Sequence, residues 1–131
     1  MAHPNEDRAR KAFDAFIGGD LDTVGETLTD DVLWHVPGRS PLAGDYRGKD
    51  EVFGLFAQLV EKTGGTFRLE VHDILANDEH VVALTRTTGE REGKKLDIRS
   101  AQVLHVNADG QVTESWFHPD DAYAADEFWS S

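Results

Sequence analysis

The chain has 131 residues, a formal net charge of -12 and no cysteine. That length suits one domain, residues 1–131, able to bury a core without staples, and the missing thiols exclude disulfides and thiolate chemistry. Acidity of this size argues against nucleic acid and anionic membrane as partners, because both are held largely by Lys and Arg.

The N-terminal MAHPNEDRARKAF lacks the apolar stretch of a signal peptide, and no apolar run is long enough to span a bilayer; the expected location is the cytoplasm. Ala9, Ala12, Phe13, Phe16 and Ile17 recur at helical spacing until Gly18-Gly19 stops the run. Asp20 is placed to N-cap a short helix carrying Leu21, Val24 and Leu28. Val32–Val36 reads as a strand, and the Gly/Pro-rich segment after it as a loop. Val52, Phe53, Phe56, Leu59 and Val60 mark a third helix, ended by Gly64-Gly65.

The second half changes character. Phe67–Ala76, His80–Thr88, Lys95–Val106 and Gln111–Phe117 are β-branched or alternating runs. Asn77-Asp78, Glu90–Lys94 and Asn107–Gly110 separate them as turns, and such short links predict consecutive antiparallel pairing. DAYAADEFWS closes the chain as a short helix or an ordered tail. Helices followed by a strand meander predict an α+β fold: a strongly curved mixed or antiparallel sheet with three N-terminal helices packed on its concave face. A bent sheet and a few helices leave space between them at the open end, a natural place for a small, largely apolar ligand.

Three stretches, GGDLDTVGETLTDDVLWHVPG, SPLAGDYRGKDEVFGLF and GQVTESWFHPDDAYAADEFW, together with the four strand-like runs, resemble the nuclear transport factor 2-like superfamily and, within it, the SnoaL-like (polyketide-cyclase-like) group. The resemblance implies a cone-shaped fold, a deep cavity and a homodimer built on the outer face of the sheet. It does not specify a reaction, since isomerases, cyclases, dehydratases, epoxide hydrolases and proteins without catalysis share this fold. The ketosteroid-isomerase branch places a carboxylate base just before the proline of the first strand. Val36 stands there, ahead of Pro37. The branch's oxyanion tyrosine falls near Ala12 and its oxyanion aspartic acid at Gln102. Only Gln102 is polar, so the chain departs from the usual ketosteroid-isomerase design.

Alternation in KKLDIRSAQVLHV puts Leu96, Ile98, Ser100, Gln102, Leu104 and Val106 on one face of a strand. If that face is the inner one, Gln102 can hold a ligand oxygen or stabilise an enolate, with Ser100 beside it; otherwise Gln102 is a core amide satisfied by backbone or water. In SWFHPDD, His118 and Asp121 offer an acid/base pair, while Asp120 or Asp121 is equally well placed to N-cap the last helix. Trp116 and His118 share a face, and Ser115 and Phe117 share the other; the alternation leaves open which is inside. The superfamily comparison turns Val36, and with it Trp34, toward the cavity, and sends His35 outward. Phe16 and Phe56 are expected in its apolar wall. Arg39 and Arg47 could clamp an anionic group at the mouth, or pair with Asp45 or Asp50.

The six histidines form no zinc signature, and no phosphate loop or nucleophile elbow is present, so neither metal nor cofactor is expected. Two functions remain. One is a cofactor-independent isomerase, cyclase or dehydratase moving a proton on a small hydrophobic carbonyl or hydroxyl compound. The other is a non-catalytic metabolite-binding or dimerisation module.

Overall fold

The computed structural model describes residues 3–130. Helix α1 (Pro4–Ile17) starts where His3 caps it, Nδ1 accepting from Asn5 N, and where Pro4 cannot donate anyway. Its Glu6 and Asp7 complement the positive end of the helix dipole. Asp20 caps α2 (Leu21–Glu26) as expected, accepting from Thr23 N at 3.1 Å. The helix ends at Glu26, however, and strand β1 (Leu28–Val36) opens at Leu28, four residues before the expected Val32. The reason is tertiary. Leu28 pairs with Val112, and Val112 N donates to Thr27 O at 2.7 Å, so a distant strand claims this backbone.

The loop after β1 returns as a four-residue strand that the sequence pattern does not reveal, β2 (Gly44–Arg47), antiparallel to β1. Helix α3 (Gly48–Lys62) follows, with Glu51 reaching back to accept from Arg47 N at 2.9 Å. The remaining elements are β3 (Arg68–Ala76), β4 (His80–Arg91), β5 (Lys94–Val106), β6 (Val112–Pro119) and α4 (Ala122–Trp129). Strands β4 and β5 run closer together than Glu90–Lys94 suggests. Glu92 (φ 51°) and Gly93 (φ 78°) alone make the turn, the two positive φ values matching the twist of a tight hairpin.

The six strands form one curved open sheet in the order β2-β1-β6-β5-β4-β3. Neighbours from β3 to β6 pair antiparallel in sequence order, as the short links require, and β1 lies parallel to β6. The fold is therefore α+β with a mixed sheet. Helices α1 and α3 pack against β3 and β1, and α4 against β5. The main core joins helix residues such as Val52 (0% exposed) and Leu55 (3%) to Val32 (0%) and Val81 (1%) of the sheet. Burying a side chain of this kind contributes about 1.5–3 kcal/mol. Leu96, Ile98 and Phe128 form a second small cluster where α4 seats on β5. Among the described residues no helix is long and apolar enough to cross a membrane.

Candidate functional site

The helices do not fill the concave side of the sheet. A cavity of about 210 Å³ remains, bounded by α1, α3, α4, the loop after β1 and the inner faces of β1, β5 and β6. Its walls are mainly hydrocarbon and aromatic. Phe56 meets Phe16 edge-on (ring centroids 4.9 Å, 71°) and Trp34 likewise (5.6 Å, 82°); Trp34 continues to Phe117 at 6.0 Å. Such edge-to-face contacts hold the wall in one arrangement. Trp34 is 7% exposed, and its Nε1 is sealed without a partner among the described residues.

Few polar groups reach the cavity. Ser100 and Gln102, two residues apart on β5, are joined there by Leu96, Ile98 and Leu104, so the inner-face reading of this strand matches the geometry. Gln102 is 3% exposed, and its Nε2 donates to Ser115 Oγ at 3.0 Å across the β5–β6 pair; Ser115 is wholly buried. Thr27, Ser40 and Thr87 add hydroxyl-bearing side chains to the lining. Among the described lining residues Asp126 is the one that carries a formal charge.

Of the residues singled out from the sequence, Phe16, Trp34, Val36, Phe56, Ser100 and Gln102 line the cavity together. Four others are elsewhere. Strand β6 turns Ser115 and Phe117 inward, so Trp116 and His118 lie on the outer face; His118 is exposed to solvent. Asp121 is exposed and caps α4, accepting from Ala124 N at 3.0 Å. No hydrogen bond joins His118 to Asp121 among the described residues, and neither lines the cavity, so the expected acid/base pair is not assembled there. Arg39 sits on the exposed loop at the mouth without lining the cavity. It acts through its backbone: Arg39 N donates to both carboxylate oxygens of Asp126 (3.0 and 3.1 Å), and Ser40 N donates to Oδ1 at 3.3 Å.

The sequence pattern does not single out Asp126. The available signal was helical spacing: Ala122, Ala125, Asp126 and Trp129 fall on one face of α4, and all four line the cavity.

The outer face has its own order. His35 Nδ1 lies 2.7 Å from Asp45 Oδ1, and Nε2 lies 2.7 Å from Glu114 Oε2. The ring stacks on Trp116 (5.3 Å, 18°), which meets His105 edge-on at 4.7 Å. Hydrogen bonds from the ring to the carboxylates of Glu114 and Asp45 hold the His35 pKa above its ordinary value.

The profile of the SnoaL-like domain family matches residues 9–115. The chain belongs to this family. An uncharacterized protein of Mycobacterium tuberculosis is 37% identical over 126 residues, covering 95% of each chain. The solved structure of Bal32a, from a soil-derived mobile gene cassette, is also 37% identical, covers 95% of each chain and superposes with a TM-score of 0.91. A nuclear transport factor 2-like protein of Burkholderia xenovorans shares the fold at 19% identity, with a TM-score of 0.82 over 99% of this chain and 98% of the other. The fold expected of this SnoaL-like domain from its sequence is thus the one it has.

Proposed function

We propose that this SnoaL-like domain binds a small hydrophobic compound carrying a carbonyl or hydroxyl group in the cavity between its helices and sheet. The observation that carries the reading is the cavity itself: about 210 Å³, walled by aromatic and aliphatic side chains, with Ser100 and Gln102 placed on its sheet side. A dry apolar cavity of about 150 Å³ is enough to take up benzene, so a one- or two-ring molecule is the right scale. Apolar walls keep water out, and each polar contact made inside is stronger for it. Charge supports a neutral ligand, because Asp126, the one charged lining residue among the described residues, is acidic and would repel an anion.

Titrating ¹⁵N-labelled protein with 1-tetralone, 1-tetralol and tetralin-1-carboxylate tests this. The neutral compounds should move amide resonances of β5, α3 and α4 in a saturable way, and the carboxylate should not. Saturable binding of the carboxylate alone, or no response of these elements to any neutral compound, would overturn the reading.

A proton-transfer reaction is a second reading, favoured by the presence of Asp126 as a titratable group lining the cavity. It predicts that Asp126→Asn abolishes turnover of any substrate found while leaving binding within a few-fold. A second copy of the chain is the proposed macromolecular partner, seated on the outer sheet face, where Trp116, Val103 and His105 are only half-buried. Sedimentation equilibrium should then report a dimer; a monomer at all protein concentrations would sink that part.

A further inference from the structure

The pair Gln102–Ser115 says more about the ligand than the cavity's size does. A carboxamide has two ends of opposite character, and what a ligand meets depends on which end is committed elsewhere. Here one of the two N–H groups is committed: Nε2 donates to Ser115 Oγ, on the neighbouring strand and 0% exposed, which fixes the plane and the end-for-end sense of the amide. The acceptor end takes no hydrogen bond from any described residue. Nor is Oε1 walled in, since the sealed and partnerless side-chain atoms among the described residues are Thr29 Oγ1 and Trp34 Nε1. Gln102 lines the cavity and is otherwise 97% out of reach of solvent, its exposure being 3%. Oε1 is therefore a nearly buried acceptor left facing the cavity, and a buried acceptor without a donor is costly until something supplies one.

We infer that the ligand supplies it: Ser115 fixes the Gln102 carboxamide with Oε1 toward the cavity, so the preferred ligand is a neutral alcohol, phenol or enol whose hydroxyl donates to Gln102 Oε1. Ser100, two residues along the same face, lines the cavity with a hydroxyl that can donate to the ligand oxygen in return. A hydroxyl both gives and accepts, and so matches the two groups together. A ketone only accepts, and leaves Oε1 unpaired. Gln102 is then a specificity-determining residue for hydroxyl over carbonyl, and Ser115, which does not line the cavity, is a positioning residue acting through it. The opposite preference would follow if the amide presented its N–H groups, so the inference has a definite sign.

This deepens the binding function proposed above and rests on it. The test measures dissociation constants for 1-tetralol, 1-tetralone and tetralin, which share one skeleton, in the wild type, Gln102→Met and Ser115→Ala. Wild type should prefer the alcohol over the ketone by about tenfold, the scale of one buried neutral hydrogen bond. Gln102→Met keeps the length of the side chain without its amide; it should bind tetralin within about twofold of wild type and lose most of the preference for the alcohol. Ser115→Ala frees the amide to turn, so the alcohol-to-ketone ratio should fall toward one while tetralin binding stays put. A wild-type preference for the ketone, or a ratio that Gln102→Met leaves intact, overturns the inference while the cavity remains a binding site. Failure of all three compounds to bind the wild type overturns the binding function instead. Circular dichroism and a cooperative urea transition establish that each variant is folded before its ratios are read.

Discussion

The contact between Asp126 and the loop after β1 is open to a thermodynamic test with a predicted coupling. Gly38 has φ +100°, and a Cβ built there would overlap Asp126 Oδ1. Gly38→Ala therefore meets two penalties. An L residue in that left-handed region costs about 1 kcal/mol. The methyl group also pushes the carboxylate off the Arg39 and Ser40 amides. Those two N–H groups make charge-assisted bonds, but Arg39 is exposed and water replaces much of what its N–H loses, whereas Ser40 is 8% exposed. Together the two bonds amount to about 1.5 kcal/mol. Gly38→Ala should then cost about 2.5 kcal/mol, and Asp126→Ala about 1.5 kcal/mol. In the double variant the clash is gone and only the backbone penalty adds to the loss of the carboxylate, giving about 2.5 kcal/mol where simple addition predicts about 4. Urea unfolding of the four proteins at one pH measures this, provided the m-values agree. Additivity within about 0.3 kcal/mol would show that the carboxylate does not hold the loop in solution.

Two further predictions concern the outer face and the end of β6. Protonated His35 can donate to Asp45 and Glu114 at once, and its raised folded pKa means this stabilisation is full below the unfolded value of about 6.5 and fades as pH rises through the folded value. His35→Gln should accordingly destabilise by about 1 kcal/mol at pH 6 and by less at pH 8.5; a loss that grows with pH would contradict the assigned pairing. Asp121→Ala should cost about 1 kcal/mol through the lost N-cap of α4, and His118→Ala less than about 0.5 kcal/mol. Neither should alter ligand affinity by more than about twofold, a change well under one hydrogen bond, and a tenfold effect of His118→Ala in the same titration would return that residue to the site.

Where one periodicity dominated, the fold was plain in the residues. Phe13 and Phe16, then Phe56 and Leu59, mark the helical faces that line the cavity, and alternation groups Ser100 with Gln102 on one face of β5, which the packed helices make the inner one. The sequence is ambiguous where two patterns overlap or where partners are remote. Leu28 sits four residues after Val24 and continues its helical stripe, yet pairing with Val112 draws it into β1. GDYR is too short, and too rich in Gly and Asp, to announce a strand; it is one because β1 offers an edge. In β6 each face carries one aromatic and one polar residue, so alternation could not say that Trp116 belongs outside. The stack on His35 decides that, and needs β1 and β6 side by side. Asp126 and Arg39 lie 87 residues apart, and no local pattern announces such a contact.

The polar groups differ in what they do for stability and for function. A buried pair such as Gln102–Ser115 contributes little net stability, because each partner loses water to gain the other; apolar residues of the same shape would serve the core about as well. The His35 and Asp121 contacts are different in kind: each ties an element in place at the protein surface, and neither lines the cavity. The amide on β5 ties nothing that the β5–β6 ladder does not already hold, since Gln102 and Phe117 are paired by their backbones. Its proposed consequence lies in the cavity, where a fixed neutral acceptor beside largely apolar walls would distinguish molecules that hydrophobic packing alone would treat alike. In a fold whose shape serves many reactions, the orientation of that single carboxamide is thus a better guide to the ligand than the shape is.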